Sequence, residues 1–302
     1  MSVVKTAPTS ALTVKGGKPP RSRLGKSAKT ANKLNTLGLL VPALALLLLC
    51  FIGPLALMAA ESLAEGVGTY QDVLTSEAIR KVFGNTIRIA LLTTSLCLLL
   101  GYPYAYAIRR SGRTVRLILT ALVMMPFWVS VLTRTFAWVG LLQDTGVINS
   151  FLMSQGWISA PLELIRTPWG VLIGMVHVLL PYMVISLMNA MSSIDSRLLQ
   201  AAESLGASPL QRFVRVHLPL SVPGITAGCV LVFVMALGFY ITPAMLGSPS
   251  DMMVAELLVQ ETQRIGTVRA SAIGILLLVG MVLSFLFVQA LQKLPSATKG
   301  GK

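Results

Sequence analysis

Six mostly apolar runs alternate with polar connections along the chain, at about 36–60, 85–108, 117–142, 168–191, 222–246 and 270–291. An α-helix needs about 20 residues to cross ~30 Å of hydrocarbon, and each run is long enough. The pattern predicts an all-α, polytopic membrane protein with six transmembrane helices. Pro42, Pro54, Pro103, Pro126, Pro181 and Pro243 fall within or near these runs. Spanning helices tolerate proline where neighbouring groups satisfy the freed carbonyls. The first run is long and lacks a small-residue cleavage site with a mature domain behind it. It is therefore expected to be a retained helix rather than a removed signal.

The polar positions orient these spans. The leading tail holds Lys5, Lys15, Lys18, Arg21, Arg23, Lys26, Lys29 and Lys33 and no acid, and the second-to-third connection holds Arg109, Arg110, Arg113 and Arg116. The fourth-to-fifth connection sets Arg197, Arg212 and Arg215 against Asp195 and Glu203, and the last tail holds Lys293, Lys299 and Lys302. Glu61, Glu65, Asp72, Glu77, Asp144, Glu163, Asp251, Glu256 and Glu261, nine of the 11 acids, fall on the other side. The positive-inside rule then predicts that both termini are cytoplasmic, which an even number of spans requires. Residues 1–33 are expected to be a disordered basic cytoplasmic tail lying on anionic lipid. Residues 34–294 form the six-span domain, with a core at about 85–291, and 295–302 a second cytoplasmic tail.

Composition agrees with a membrane class: 54% of the 302 residues are hydrophobic and only 12% are charged. A formal charge of +14 would suggest nucleic acid in a soluble protein. Here the charges sit at membrane edges, which argues against a nucleic-acid partner. Cys50, Cys97 and Cys229 each lie in an apolar run and form no CxxC pair, so they read as packing residues rather than metal ligands. No Walker-type glycine loop, HExxH, serine elbow or cysteine–histidine set is present. The chain is therefore not expected to be an enzyme, to hydrolyse ATP itself, or to carry catalytic residues, a metal or a cofactor. There is also no evident inverted repeat or interrupted helix pair of the kind many secondary transporters use.

The connection at 195–219 carries the most specific pattern. Asp195 or Ser193 can cap a first short helix, on which Leu198, Leu199, Ala202 and Leu205 are expected to gather on one side. Gly206 suits the left-handed position that ends a helix. Ser208, Pro209 and Gln211 then read as a capping box with proline at the first helical position. Leu218-Pro219 is expected to stop the second helix before the fifth span. Two rigid helices at an angle can pass a rotation to the helices they join, and Ala201, Ala202 and Gly206 let another surface approach the backbone. An ordinary helical loop is the competing reading.

The spacing Gln200-Ala201-Ala202, three residues, Gly206, nine residues, Val216-His217-Leu218-Pro219 resembles the docking loop of permeases of binding-protein-dependent ABC importers. In that family the loop follows the fourth of six spans on the cytoplasmic side and begins Glu-Ala-Ala, so Gln200 departs from the pattern. Glu203, one turn on, is the nearest replacement for the lost charge. Asn85-Thr86-Ile87-Arg88 looks like the usual start of the permease core, and 101–105, 126–128 and 237–247 look like the spermidine/putrescine subgroup's first permease component. Systems for opines and amino-acid derivatives share these segments. The resemblance implies a type I importer permease fold in a bacterial inner membrane. It implies as partners a dimer of cytoplasmic ATPase subunits, a second related permease and a periplasmic solute-binding protein, besides membrane lipid. It makes Gln200, Ala201, Ala202, Glu203, Gly206, Leu218 and Pro219 the ATPase-coupling residues and a polyamine the expected solute. A self-sufficient secondary transporter or channel, or a signalling protein whose loop binds a regulator, are the rival classes.

Polar and aromatic residues within spans are costly and mark candidate pathways. Phe127, Trp128 and Arg134 in the third run, and Phe239, Tyr240 and Thr242 ahead of Pro243 in the fifth, are the candidates for a pathway or gate. Helix packing and interface anchoring compete at each position. Arg134 facing the path would repel a polycation; pairing with a carboxylate or backbone carbonyls is its alternative. His177 reads as a satisfied structural histidine.

Overall fold

The computed structural model describes residues 24–264 and 266–293. Among these there is no strand. In chain order the helices are α1 (Leu24–Ser62), α2 (Gly68–Thr75), α3 (Glu77–Arg110), α4 (Arg113–Met124), α5 (Val131–Leu142), α6 (Val147–Ser154) and α7 (Pro168–Ser192). There follow α8 (Ser196–Ser204), α9 (Pro209–Arg212), α10 (Leu218–Leu237), α11 (Ile241–Leu246), α12 (Val254–Arg264) and α13 (Thr267–Lys293). Two compact units divide at 56/57. The described part of the first is helix, carrying Pro42 and Pro54. The second begins with the last residues of α1 and holds every other element.

Among the described residues five helices are long and apolar enough to cross a membrane, or six when the bent pair is counted as one span. The expected all-α, six-span architecture is therefore present, with changed boundaries. The third span is not the continuous helix expected at 117–142. It breaks by 99° between Arg113–Trp128 and Val131–Ser154. Pro126 tightens Met125–Trp128 into a 3-10 turn, and Val129 and Ser130 are extended. The fifth run is also interrupted: α10 ends at Leu237, and Gly238, Phe239 and Tyr240 separate it from α11. Helix α1 begins at Leu24, inside the segment expected to be a disordered tail; the rest of that tail and 294–302 lie outside the described residues.

Helices α3, α7 and α10 pack on one another and form the core with Cys97, Met175, Leu179, Met183, Leu187 and Val232, all buried. Lipid tails are as apolar as leucine, so hydrophobicity gives no drive for helices to pair; close approach and hydrogen bonds do. The α7–α10 contact shows both. A Cβ at Gly224 would lie 2.2 Å from the Ala190 Cβ, and one at Gly228 would lie 2.7 Å from Met183 Sδ. Ser186 Oγ donates to the Gly224 carbonyl at 3.2 Å across the seam. Gly174 on α7 similarly leaves space that Thr242 and Leu246 of α11 fill. A second apolar cluster joins Val73 of α2, Ile79 of α3, Val254 of α12 and Ala272 and Ile273 of α13.

Replacing Gly224 by valine forces α7 and α10 apart and is expected to cost about 1–3 kcal/mol, the usual range for overpacking. Gly140→Ala, where nothing lies within 4 Å of the added carbon, is expected to be near neutral. Thermal unfolding of the two variants in detergent checks the difference.

Candidate functional site

The connection between α7 and α10 folds as a capped elbow. Asp195, not Ser193, caps α8: its carboxylate accepts the Arg197 N–H at 2.9 Å. The helix ends in a Schellman motif. The Ala207 N–H reaches the Ala202 carbonyl at 3.0 Å and the Gly206 N–H the Glu203 carbonyl at 2.9 Å, with Gly206 at φ 82°. Ser208 Oγ accepts from the Gln211 N–H at 3.3 Å, while Gln211 Oε1 accepts from the Ser208 N–H at 2.9 Å, closing the capping box that starts α9. Arg212 of α9 meets Glu203 of α8 at 2.6 Å, tying the two arms together.

Two details differ from expectation. Leu198, Leu199, Ala202 and Leu205 are not buried as a set: Leu199 and Ala202 are half-buried, whereas Leu198 and Leu205 are exposed, Leu205 at 88%. Leu218-Pro219 does not stop the second helix. After α9 a single π turn, Phe213–His217, runs directly into α10, whose first turn contains Pro219. Proline fits there because the first turn of a helix leaves N–H groups without intrahelical acceptors, and the widened turn ahead absorbs the ring. Residues 209–237 thus form one apolar rod with the elbow at its start.

The elbow is fastened to the last turns of α3. Arg109 Nη2 donates to the Ile194 carbonyl at 2.8 Å. Tyr106 stands edge-on to Phe213 at 5.2 Å and to His217 at 4.9 Å, and the Tyr102 hydroxyl lies 3.0 Å from Ser221 Oγ. Gln200, Ala201, Glu203 and Gly206 stay exposed on the outer side, with Leu198, Leu205, Leu210 and Val214. A doubly capped element with four bare apolar side chains can receive a soluble partner and carry its displacement into α7, α10 and α3.

The candidate pathway residues fall at the two breaks but not in one cluster. Phe127 is half-open and meets Tyr182 edge-on at 5.1 Å, and Trp128 is 81% exposed. Phe239 is half-buried and Tyr240 exposed. Thr242 is fully buried, 3.2 Å from the Thr135 hydroxyl, where α11 packs on α5. The buried Arg134 Nε has no hydrogen-bond partner. His177 accepts the Trp138 indole N–H at Nδ1, 3.0 Å away, as expected of a structural histidine.

Several anchoring residues escaped the sequence. Asn149, fully buried, donates to the Gln143 and Leu162 carbonyls and accepts the Leu162 N–H. Asn85 donates to the Asp251 and Met252 carbonyls, and Thr86 accepts the Val254 N–H at 2.9 Å, pinning α12 to α3. Arg166 is held at φ 58° with its N–H on the Leu246 carbonyl. Asparagine and threonine in those runs hint at a role, but their partners lie up to 168 positions away. Of the acids on this side, Glu256 is half-buried, and desolvation raises its pKa despite a hydrogen bond from Gln260.

Residues 97–295 match the family described as binding-protein-dependent transport system inner membrane component. The chain is 38% identical over 181 residues to the spermidine/putrescine transport system permease protein PotB of Haemophilus influenzae, covering 60% of this chain and 63% of that one. To PotB of Escherichia coli it is 37% identical, over 59% of this chain and 65% of that one. The matched part thus spans less than two thirds of either relative. Its fold is similar to that of a chain in the crystal structure of a bacterial alginate ABC transporter in complex with alginate pentasaccharide-bound periplasmic protein. The TM-score is 0.70 at 22% identity, over 90% of this chain and 98% of that one.

Ser208→Ala removes one side of the capping box and is expected to cost the elbow about 1 kcal/mol. Glu203→Gln breaks an ion pair whose carboxylate is mostly in solvent and is expected to cost about 0–1 kcal/mol. Amide exchange across 205–213 should therefore quicken more in the first variant. Glu256, with its raised pKa, is destabilising when ionised, so stability is fullest below the ordinary value of 4.5 and falls as pH rises through the folded value. Glu256→Gln is expected to raise the melting temperature at neutral pH and to converge on the wild type in acid.

Proposed function

Because the chain belongs to the family of binding-protein-dependent transport system inner membrane components, we propose that it is the permease subunit of an ATP-driven importer. The observation that carries the reading is the elbow: a doubly capped element, fastened to three spans and bare on its outer face. On this reading the elbow is cytoplasmic, both termini lie on its side, and the protein sits in a bacterial inner membrane. Two ATPase subunits dock on such elbows, one on this chain and one on a second related permease, and a periplasmic binding protein delivers the solute at the opposite face. ATP hydrolysis belongs to the docked subunits. Closure of the ATPases displaces the elbow, and the fastened spans move with it between inward-open and outward-open states.

The solute proposed is a polyamine, spermidine or putrescine, supported by the likeness to the PotB proteins. One observation favours a second solute class: the buried Arg134 Nε without a partner suits a solute bearing a carboxylate, such as an opine or amino-acid derivative. Uptake of labelled spermidine, putrescine and one opine by cells lacking the chain, then complemented with it, separates the two.

Gly206 occupies the left-handed region with open space around it, so Gly206→Asp strains the backbone at the docking face without a clash in the core. This variant is expected to reach the membrane in normal amount and to lose uptake. Normal uptake by Gly206→Asp would remove the coupling role of the elbow.

A further inference from the structure

On the inner side of the elbow, turned toward α3 and away from Leu198 and Leu205, lies a cavity of about 110 Å³. Its wall includes Tyr106, Arg109, Arg110, Arg212, Phe213 and His217, and no carboxylate. Arg212 has a partner in Glu203; no acid pairs with Arg109 or Arg110 among the described residues. Arg109 spends Nη2 on the Ile194 carbonyl, and its buried Nη1 has no partner. His217 is 2% exposed, and its Nε2 also has no partner. The Tyr102 hydroxyl lies 3.4 Å from His217 Nδ1. Ser221 Oγ donates to the Leu218 carbonyl at 2.8 Å, so the Tyr102 hydroxyl donates to Ser221 and accepts from His217 Nδ1. A buried donor without an acceptor is costly, and Arg109, which carries one at Nη1, lines a cavity that also gathers the guanidinium groups of Arg110 and Arg212.

We propose that this cavity binds a phosphate group. The volume suits a small tetrahedral anion and not a folded segment of another protein. Guanidinium forks match the several acceptor oxygens of a phosphate. The bound group accepts from the guanidinium groups of Arg109 and Arg110, whose charges balance its own, and bridges α3 to the elbow. A phospholipid headgroup and free phosphate supply the same chemistry. Arg113 and Arg116, exposed a few residues further along the chain, add to the positive charge that draws either one in.

The test uses the full chain in phosphatidylcholine nanodiscs, with the melting temperature followed at constant ionic strength. Two additions are compared: inorganic phosphate in the buffer, and phosphatidylglycerol in the disc. The expected result is a saturable rise of several degrees with at least one of them and none with chloride. Half-saturation is expected to be about tenfold weaker in Arg109→Gln, as for loss of one charge-assisted hydrogen bond. Arg109 also holds the Ile194 carbonyl, so Arg110→Gln, at an exposed position, is the second variant and is expected to weaken the response in the same direction. A rise with phosphatidylglycerol alone identifies a lipid headgroup; a rise with inorganic phosphate identifies a free anion. No rise with either, an equal rise with chloride, or an undiminished response in both variants overturns the site.

Discussion

The fold depends on backbone-close contact between α7 and α10. In a membrane, apolar side chains gain nothing by leaving lipid for one another, so pairing needs surfaces that come nearer than lipid can follow. Gly224 and Gly228 lie four residues apart on one face of α10, with Ser186 and Ala190 opposite them on α7. The Ser186 hydroxyl on the Gly224 carbonyl adds a hydrogen bond where no water competes. This seam sits immediately before and after the elbow in sequence. Its closeness fixes the distance that residues 193–217 must bridge, and thereby the angle at which α8 and α9 stand.

The elbow could be read in the sequence because it is built from local chemistry. A helix ending at a left-handed glycine, then serine, proline and glutamine at fixed offsets, needs no distant partner to take its shape. The caps found at Asp195, Gly206 and Ser208 are therefore those the residues dictate. Its orientation was less legible. Which leucines turn inward is decided by Tyr106 and Arg109, nearly a hundred positions earlier. The role of Leu218-Pro219 was misread for a related reason: proline stops a helix it follows but not one it begins, and the π turn decides which applies.

The broken spans were hidden because hydropathy does not change across them. Residues 125–130 and 238–240 carry no charge and are short, and a window of about 20 residues passes over them. Proline at 126 and 243 marked both neighbourhoods without showing which would break. Tertiary packing makes the difference. The Thr135 and Thr242 hydroxyls meet, and Thr242 fills the space left by Gly174, so α11 is held against α5 and α7 as a separate short helix. Pro181 lies inside the unbroken α7, so proline alone does not break a span.

Helix α7 consequently has two sets of obligations. Toward its start, Gly174 receives Thr242 and Leu246 of α11; toward its end, Ser186 and Ala190 receive Gly224 of α10. The first set belongs to the interrupted spans, whose connecting residues include exposed Trp128 and Tyr240. The second belongs to the capped elbow. Packed contacts at such short range cannot stretch gradually, since separation by a fraction of an ångström already forfeits much of the attraction. On the proposed reading, a displacement delivered at the elbow carries α7 and α10 as one body, and the strain falls on the non-helical joints at 125–130 and 238–240. The stiff half and the jointed half lie on one helix, and that arrangement lets a force applied at one end of the protein alter the backbone at the other.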